Sequence, residues 1–246
     1  MKLRFPLFMA IGLILFSSCS KDISEEDGIV PDSITASGSG TGGAGGTGGS
    51  GGSSVSGCKD CLYYPECSGS VYTFSDTSFT GSGSSTTYTY QFVKDTMLEG
   101  KNYQKMSVNG QISYLNCTSG VSSTISINGV SSGGTTIPYA KFTMVKANEA
   151  VGASWADVIT VSGQAIVYTS TIVSKGTPRT VAGHVYPDVI HVHEQTTEDA
   201  PGIGTINAGQ TDYYYARGTG LIESISIDDF SGMQILHHVL LSATIP

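Results

Sequence analysis

The chain has 246 residues, of which 12 are basic and 20 acidic, so its formal charge is -8 at neutral pH. Charged residues make up only 13% of the chain and hydrophobic residues 39%, a balance that is typical of a folded protein. A chain with so few Lys and Arg residues does not supply the clustered positive charge with which proteins bind nucleic acids. We therefore expect no nucleic-acid partner.

The first 18 residues have the pattern of a secretory signal peptide. Lys2 and Arg4 precede an apolar run over residues 5–16, and two serines separate that run from Cys19. A membrane-spanning helix needs about 20 apolar residues, so cleavage is favoured over an uncleaved anchor. Cleavage makes Cys19 the first mature residue, and a thiol in that position accepts a diacylglycerol with palmitate-type chains. We predict a signal peptide over residues 1–18 and a lipid anchor at Cys19.

The segment after the signal resembles that of Bacteroidota lipoproteins. Lys21 and the acidic residues of positions 22–27 follow Cys19. This arrangement is similar to the signal that sends lipoproteins of that phylum to the outer face of the outer membrane. The resemblance implies an outer-membrane protein, displayed on the cell surface and held to the membrane by its lipid. Ser33 and Thr96, each preceded by Asp and the latter in a predicted turn, resemble the O-glycosylation acceptor of the same phylum and are candidate O-glycosylation sites.

Residues 19–54 are expected to form a disordered, lipid-anchored linker. The stretch up to residue 37 is polar and acidic, and residues 38–54 contain only Gly, Ser, Thr and one Ala. Neither part can bury enough apolar surface to offset its chain entropy. A Gly-rich coil of roughly 35 residues spans on the order of 30 to 35 Å, which would hold the following domain clear of the membrane.

Residues 55–246 have the composition of one folded domain, and we predict that it is all-β. Short runs that alternate apolar and polar side chains, rich in Thr, Tyr, Val and Ile, are typical of half-buried antiparallel strands. Glycine-rich pairs separate the runs, and Thr177-Pro178 is a further predicted turn. Only residues 139–155 have a pattern that could hold one short helix. The predicted strands cover residues 71–74, 88–92, 111–115, 124–127, 141–145, 157–161, 164–173, 189–192, 221–227 and 234–245.

An internal sequence similarity predicts how the strands connect. Residues 92–106 and 172–189 each contain a strand, a polar turn and a Gly-x-x-Tyr step that starts the next strand. A hairpin used twice favours an up-and-down meander over Greek-key crossings. We therefore predict a curved antiparallel sheet that forms an open or closed barrel.

Four cysteines remain when one carries lipid, and we predict that they form two disulfides in an oxidising compartment. They are Cys58, Cys61, Cys67 and Cys117. A zinc site would need a second closely spaced pair, and a redox C-x-x-C motif normally opens a helix beside a parallel sheet, so both are less favoured. Three connectivities are allowed. A bond between Cys58 and Cys61 would be the most strained, so we expect one of these two to reach Cys117.

The histidines and serines do not form a recognisable active site. His191 and His193 share one face of a predicted strand, from which a metal site with a third His can be drawn. We favour a solvent-facing strand instead, because Glu194 falls on the apolar side. No lipase-type serine motif or zinc-protease motif is present. We predict no metal, no cofactor, no catalytic residue and no enzyme activity.

Three motifs carry a family resemblance. They are similar to motifs that recur in a group of Bacteroidota lipoproteins with a β-rich domain. The motifs are residues 93–103, residues 151–155 (Val-Gly-Ala-Ser-Trp) and residues 213–222. That group has no assigned chemistry, so the resemblance implies location and fold rather than activity. The half-open barrel of periplasmic lipoprotein carriers is a more distant likeness in layout.

These observations predict a lipid-anchored, surface-displayed, non-catalytic binding or structural domain. Its expected partner is a glycan or a protein of the outer membrane. Tyr213, Tyr214 and Tyr215 could stack on sugars, although cross-strand packing is the more usual role of such tyrosines. The alternative is a periplasm-facing carrier of lipid or another hydrophobic ligand, which would need an apolar cavity inside a half-barrel.

Overall fold

The computed structural model describes most of the domain that the sequence predicts. The signal peptide, the linker, Cys19, Ser33 and Cys58 lie outside the described residues. Among the residues that the structure does describe, no helix is long and apolar enough to cross a membrane. The described residues are 61–65, 67–80, 83–98, 101–108, 111–126, 130–132, 135–137, 140–161, 163–200 and 202–246.

The described residues form fourteen β-strands and no helix, which confirms the all-β prediction. The segment that could have held a helix instead contains strand β8, a turn and the start of β9. The strands are β1 (Val71–Ser78), β2 (Ser84–Leu98), β3 (Lys101–Val108), β4 (Gln111–Thr118), β5 (Val121–Ser126), β6 (Val130–Ser132), β7 (Thr135–Ile137), β8 (Ala140–Lys146), β9 (Ser154–Val161), β10 (Gln164–Val181), β11 (His184–Ala200), β12 (Gly204–Ala216), β13 (Gly220–Asp228) and β14 (Met233–Thr244).

Twelve strands form one antiparallel sheet in the order β8-β5-β4-β3-β2-β1-β14-β13-β12-β11-β10-β9. Strands β6 and β7 form a separate hairpin. The sheet is the predicted up-and-down meander, because its strands follow chain order except where β1 pairs with β14 and β5 with β8. The pairing of β1 with β14 joins the two ends of the domain, so the sheet curves into a nearly closed barrel with its gap between β8 and β9.

Side chains bridge this gap where a backbone ladder is missing. The carboxylate of Asp157 in β9 accepts a hydrogen bond from the N–H of Thr143 in β8, at 2.7 Å. The Trp155 indole donates to the Thr143 carbonyl at 3.0 Å. Both backbone groups of Thr143 are therefore satisfied, although β8 lies at the edge of the sheet. Lys146 adds a cation–π contact, with its Nζ 5.5 Å from the centre of the Trp155 ring.

Aromatic side chains fill the lumen of the barrel. Tyr72 and Phe74 of β1 lie opposite Tyr90 and Tyr88 of β2, and each of the four is at most 5% exposed. Large rings bury much apolar area each, which favours closure of the sheet around them. Other buried members of the same core are Phe92, Met106, Leu115, Val145, Ile172, Ile190, Val192, Tyr215, Ile222 and Leu240.

A polar network lies among these rings. His238 of β14 is fully buried, and its Nδ1 lies 2.6 Å from Asp76 Oδ1 on β1. The Tyr88 hydroxyl donates to Asp76 Oδ2 at 2.8 Å and lies 2.7 Å from the same His nitrogen. The His238 ring also stacks on Phe74, with 4.2 Å between ring centres. Because the partners come from opposite ends of the domain, the network fixes how those ends pair.

Residues 61–65 cover one end of the barrel, which we call the capped end. The structure joins Cys61 to Cys117 by a disulfide with 6.0 Å between the Cα atoms, one of the two pairings that the sequence analysis left open for Cys117. Cys67 is also disulfide-bonded. The Tyr63 hydroxyl donates to Asp188 at 2.6 Å, and the Tyr64 ring packs on Tyr215. The start of the domain is thus fastened to both halves of the sheet.

Two turn predictions are wrong. Thr177 and Pro178 lie within β10, where its register with β11 shifts. Bulges of this kind accommodate a proline inside a long strand, because the local ladder is already interrupted. Thr96 lies in β2 opposite Tyr103 rather than in a turn.

The bridge across the gap generates a stability prediction. Replacing Asp157 by Ala leaves the Thr143 N–H without its acceptor, so we expect the free energy of unfolding to fall by about 1–3 kcal/mol. Asp157→Asn keeps one acceptor oxygen and should lose less. Urea denaturation of the purified protein measures the difference. Val158→Ala, on the neighbouring exposed side chain, is the control and should stay within about 0.5 kcal/mol of the parent; an Asp157→Ala variant as stable as this control would contradict the role of the bridge.

Candidate functional site

Lysines of the N-terminal half lie on the outer face of the barrel. Met106 of β3 is buried opposite Phe92 of β2, which fixes the inward side of both strands. Side chains alternate along a strand, so Lys105, next to Met106, points outward. The same alternation places Lys101 outside. The register of β5 and β8, which shifts between Lys141 and the buried Val145, places Lys141 on the same face.

Three of these lysines belong to one row that crosses five strands, which we call the lysine row. Each residue of the row lies directly opposite the next one on the neighbouring strand. The row consists of Lys94 (β2), Lys105 (β3), Tyr114 (β4), Ile125 (β5) and Lys141 (β8). Lys94 and Lys105 are immediate cross-strand neighbours. Like charges in such positions repel each other.

A groove of about 570 Å³ lies between the lysine row and the capped end. This volume is in the range of small-molecule sites, roughly 300 to 1,000 Å³. We call it the lysine groove. It is lined by Lys101, Asn102, Asn116, Cys117, Thr118, Val121, Ser123 and Lys141.

The wall of the lysine groove is held by its own hydrogen bonds. The Asn116 side-chain amide donates to the Asn102 carbonyl at 2.6 Å, and the Thr118 hydroxyl donates to the Asn116 side-chain oxygen at 3.1 Å. The disulfide at Cys117 fastens the same strand to the capped end. The groove is therefore formed without a ligand, with Lys101 and Lys141 exposed at its sides.

The predicted metal candidates form a different arrangement. His191 and His193 lie on the outer face, and both contact Asp212, whose Oδ1 is 2.7 Å from His191 Nε2 and 3.0 Å from His193 Nδ1. Burial alone would raise the pKa of Asp212, but the hydrogen bonds and charges of the two histidines outweigh it and lower that pKa. Across the described ranges, no three His, Cys, Asp or Glu side chains are grouped so that they could hold a metal. The absence of a metal remains a prediction.

The three adjacent tyrosines pack within the protein. Tyr213 and Tyr215 belong to the inward side of β12, where burial raises both pKa values well above the usual value. Tyr214 points outward, but the Arg179 guanidinium lies 3.3 Å from its ring centre and the His191 ring stacks on it at 4.5 Å. These contacts support cross-strand packing rather than sugar stacking.

Glu194 is a titratable group whose surroundings the sequence does not reveal. It lies on the inward side of β11, where Ser170 and Tyr213 donate to its two oxygens, each at 3.3 Å. Burial raises the pKa of Glu194 to about 7, and the two hydrogen bonds lower it only in part. The alternation along β11 indicates an inward carboxylate. Its partners come from β10 and β12, whose register the sequence does not specify.

The sequence alone does not indicate the lysine groove. The available signal was the spacing of Lys101 and Lys105, which places both on one face of a strand. Of the residues that it did single out, Cys117 lines the groove and Thr96 lies on the adjacent strand β2. Modification of Thr96 and Ser33 remains a prediction.

Comparisons with known proteins add resemblance of fold. No protein-family model matches the chain, and no curated protein matches it. A candidate lipoprotein from Parabacteroides distasonis is 14% identical, with a TM-score of 0.49, over 76% of this chain and 100% of its own. A candidate exported protein with a YmcC-like fold from Bacteroides fragilis is 12% identical, with a TM-score of 0.47, over 75% of this chain and 99% of its own.

The raised pKa of Glu194 generates a pH prediction. The folded state holds this proton up to about pH 7, whereas an unfolded chain releases it near its ordinary pKa of 4.5. The stability of the parent relative to Glu194→Gln should therefore fall as the pH rises from about 4.5 to about 7, by about 3 kcal/mol in total, and then stay constant. Urea denaturation at a series of pH values measures this difference. Glu149→Gln, at an exposed turn, serves as the control, and a pH-independent difference for Glu194→Gln would contradict the prediction.

Proposed function

We propose that this protein is a lipid-anchored envelope lipoprotein whose β-barrel domain binds a glycan in the lysine groove, without catalysis. The observation that carries the proposal is the groove itself, about 570 Å³ in volume and formed before any ligand binds. Its location on the outer face makes it accessible to a ligand outside the barrel. We place the protein in the outer membrane, facing the cell surface.

The chemistry of the lining supports recognition of a sugar. Asn116, Thr118 and Ser123 supply amide and hydroxyl groups, and Lys101 and Lys141 supply ammonium donors. Sugar hydroxyls both donate and accept hydrogen bonds, so they suit this set. The described residues of the lining include no His, Asp or Glu that could serve as a general base, which favours binding over hydrolysis.

The proposed anchor suits this site. The linker precedes Cys61 in the sequence, and Cys61 is bonded to Cys117 in the lining of the groove. A flexible linker leaves the barrel free to turn, so the groove can face away from the membrane. The lipid then limits diffusion, while the groove makes the specific contacts.

The lumen gives the alternative role of lipid carrier no support at the capped end. The space between Tyr64, Tyr72, Phe74, Tyr90 and neighbouring side chains is only about 10 Å³. A single water molecule already needs about 10 to 15 Å³. The aromatic rings therefore leave no room there for an acyl chain, and the outer groove is the better candidate for ligand binding.

Filling the groove tests the proposal. Thr118 is exposed and lines the groove, so Thr118→Trp should occupy it without touching the core. We expect saccharide affinity to fall at least about tenfold, as measured by isothermal titration against a glycan panel. Thr169→Trp, at an exposed position on β10, is the matched control and should bind like the parent. If no glycan binds the parent, or if Thr118→Trp binds as well as the control, the groove is not the site.

Replacing the lipidated cysteine tests the anchor. Cys19→Ala removes the only thiol that can carry the lipid at the predicted cleavage site, so the protein should leave the membrane fraction. Fractionation followed by mass spectrometry of the N-terminal peptide measures this change. Cys67→Ser, which replaces a disulfide-bonded cysteine of the domain, should stay with the membrane. Retention of Cys19→Ala in the membrane would disprove lipid anchoring at this residue.

A further inference from the structure

We infer that the ligand of the lysine groove is an acidic saccharide, a sugar whose carboxylate or sulfate groups are bound by Lys101 and Lys141. This inference rests on the proposed function, because it names the class of ligand for the same groove. Its basis is the unbalanced positive charge on this face of the barrel.

Four lysines on this face have no partner among the described residues. The side chains of Lys94, Lys101, Lys105 and Lys141 form no hydrogen bond or ion pair with any described residue. The other basic side chains of the described residues are engaged: Lys175 donates to two backbone carbonyls, Arg179 pairs with Glu223, Arg217 pairs with Asp188, and Lys146 lies over Trp155. Unpartnered cations are thus confined to the lysine row and the groove.

The acidic residues are concentrated in the other half of the sheet. Residues 61–146 contain five basic and four acidic residues, whereas residues 147–246 contain three basic and ten acidic residues. Asp76 lies opposite the buried His238 on the inward side of the sheet, and Asp95 lies opposite the buried Gln104, although its own side chain is exposed. Among the described residues, the lining of the groove holds two lysines and no carboxylate, although the whole chain carries a charge of -8. Such a local field attracts anions.

The arrangement of the lysines also favours a bound anion. Lys94 and Lys105 lie directly opposite each other, in a position where like charges destabilise a sheet. A negative group at the groove lowers this repulsion. It also gains two charge-assisted contacts, from Lys101 on one wall and Lys141 on the other.

The groove selects a small ligand. Its volume of about 570 Å³ suits a few sugar units, and its amide and hydroxyl groups suit their hydroxyls. A long polyanion would extend from the lysine row onto the acidic half of the barrel, where it would be repelled. The charge distribution thus favours a short acidic saccharide.

Matched ligands test this inference. We would titrate the purified protein with uronates, sialosides and sulfated saccharides, each against its neutral parent sugar. We expect at least one acidic member to bind at least about tenfold more tightly than its neutral parent at low salt. That preference should shrink as the salt concentration rises, because salt screens exposed charges.

Matched variants locate the effect. Lys101→Gln and Lys141→Gln each remove one positive charge from the groove, and Arg217→Gln removes one from the opposite half of the sheet. We expect the preference for acidic sugars to fall in both lysine variants and to vanish when they are combined, while Arg217→Gln keeps it. Melting temperatures of all variants exclude unfolding as the cause.

The possible outcomes separate this inference from the proposed function. If acidic and neutral sugars bind equally and Thr118→Trp blocks both, the groove binds glycans but the acidic class is wrong. If an acidic preference survives in the combined lysine variant, the assignment to Lys101 and Lys141 is wrong. If no saccharide binds in the groove, both proposals fail.

Discussion

The pairing of β1 with β14 is the contact on which the rest of the molecule depends. Asp76 and His238 meet there, 162 residues apart in sequence, and Tyr88 holds both of them. A buried carboxylate or imidazole without a partner is costly, so this pairing has few alternatives. It turns an open meander into a barrel, because the two ends of the chain's strand order become neighbours. Aromatic burial supplies much of the stabilisation, and the polar network selects the register.

Because β1 pairs with β14, the gap in the barrel lies elsewhere in the strand order. The remaining gap falls in the middle of the chain, between β8 and β9, where Asp157 and Trp155 satisfy an exposed edge. The strands that line the groove lie between the gap and the central pairing. Their registers, counted outward from β1, bring Lys141 within one groove of Lys101, about 40 positions away in sequence. The site is thus a consequence of the closure.

Alternation within each strand was enough to predict the fold class and the outward face of His191, and the repeated hairpin motif predicted the meander. It was not enough to predict neighbours. Whether Lys105 lies beside Lys94 depends on a register shift at Phe92, which the sequence pattern of the strand does not predict. Thr177 and Pro178 have the composition of a turn, yet a bulge inside β10 absorbs them because the long hairpin with β11 continues beyond. The partners of Glu194 were hidden for the same reason. Patterns along one strand specify a face, and the contacts across strands specify a site.

The two halves of the barrel differ in whether their charged side chains are paired, and this difference is the main support for a bound ligand. In the C-terminal half, Glu223 is shared by Arg179 and His237, and Asp212 by two histidines. In the described part of the N-terminal half, the side chains of Lys94, Lys101, Lys105 and Lys141 form no ion pair. A single exposed lysine costs little in water, so stability alone does not require a partner for it. Stability also does not explain why four of them share one face beside a preformed groove whose described lining holds no carboxylate. Binding of an anion does, because a negative ligand gains contacts with lysines that have no carboxylate beside them in that lining.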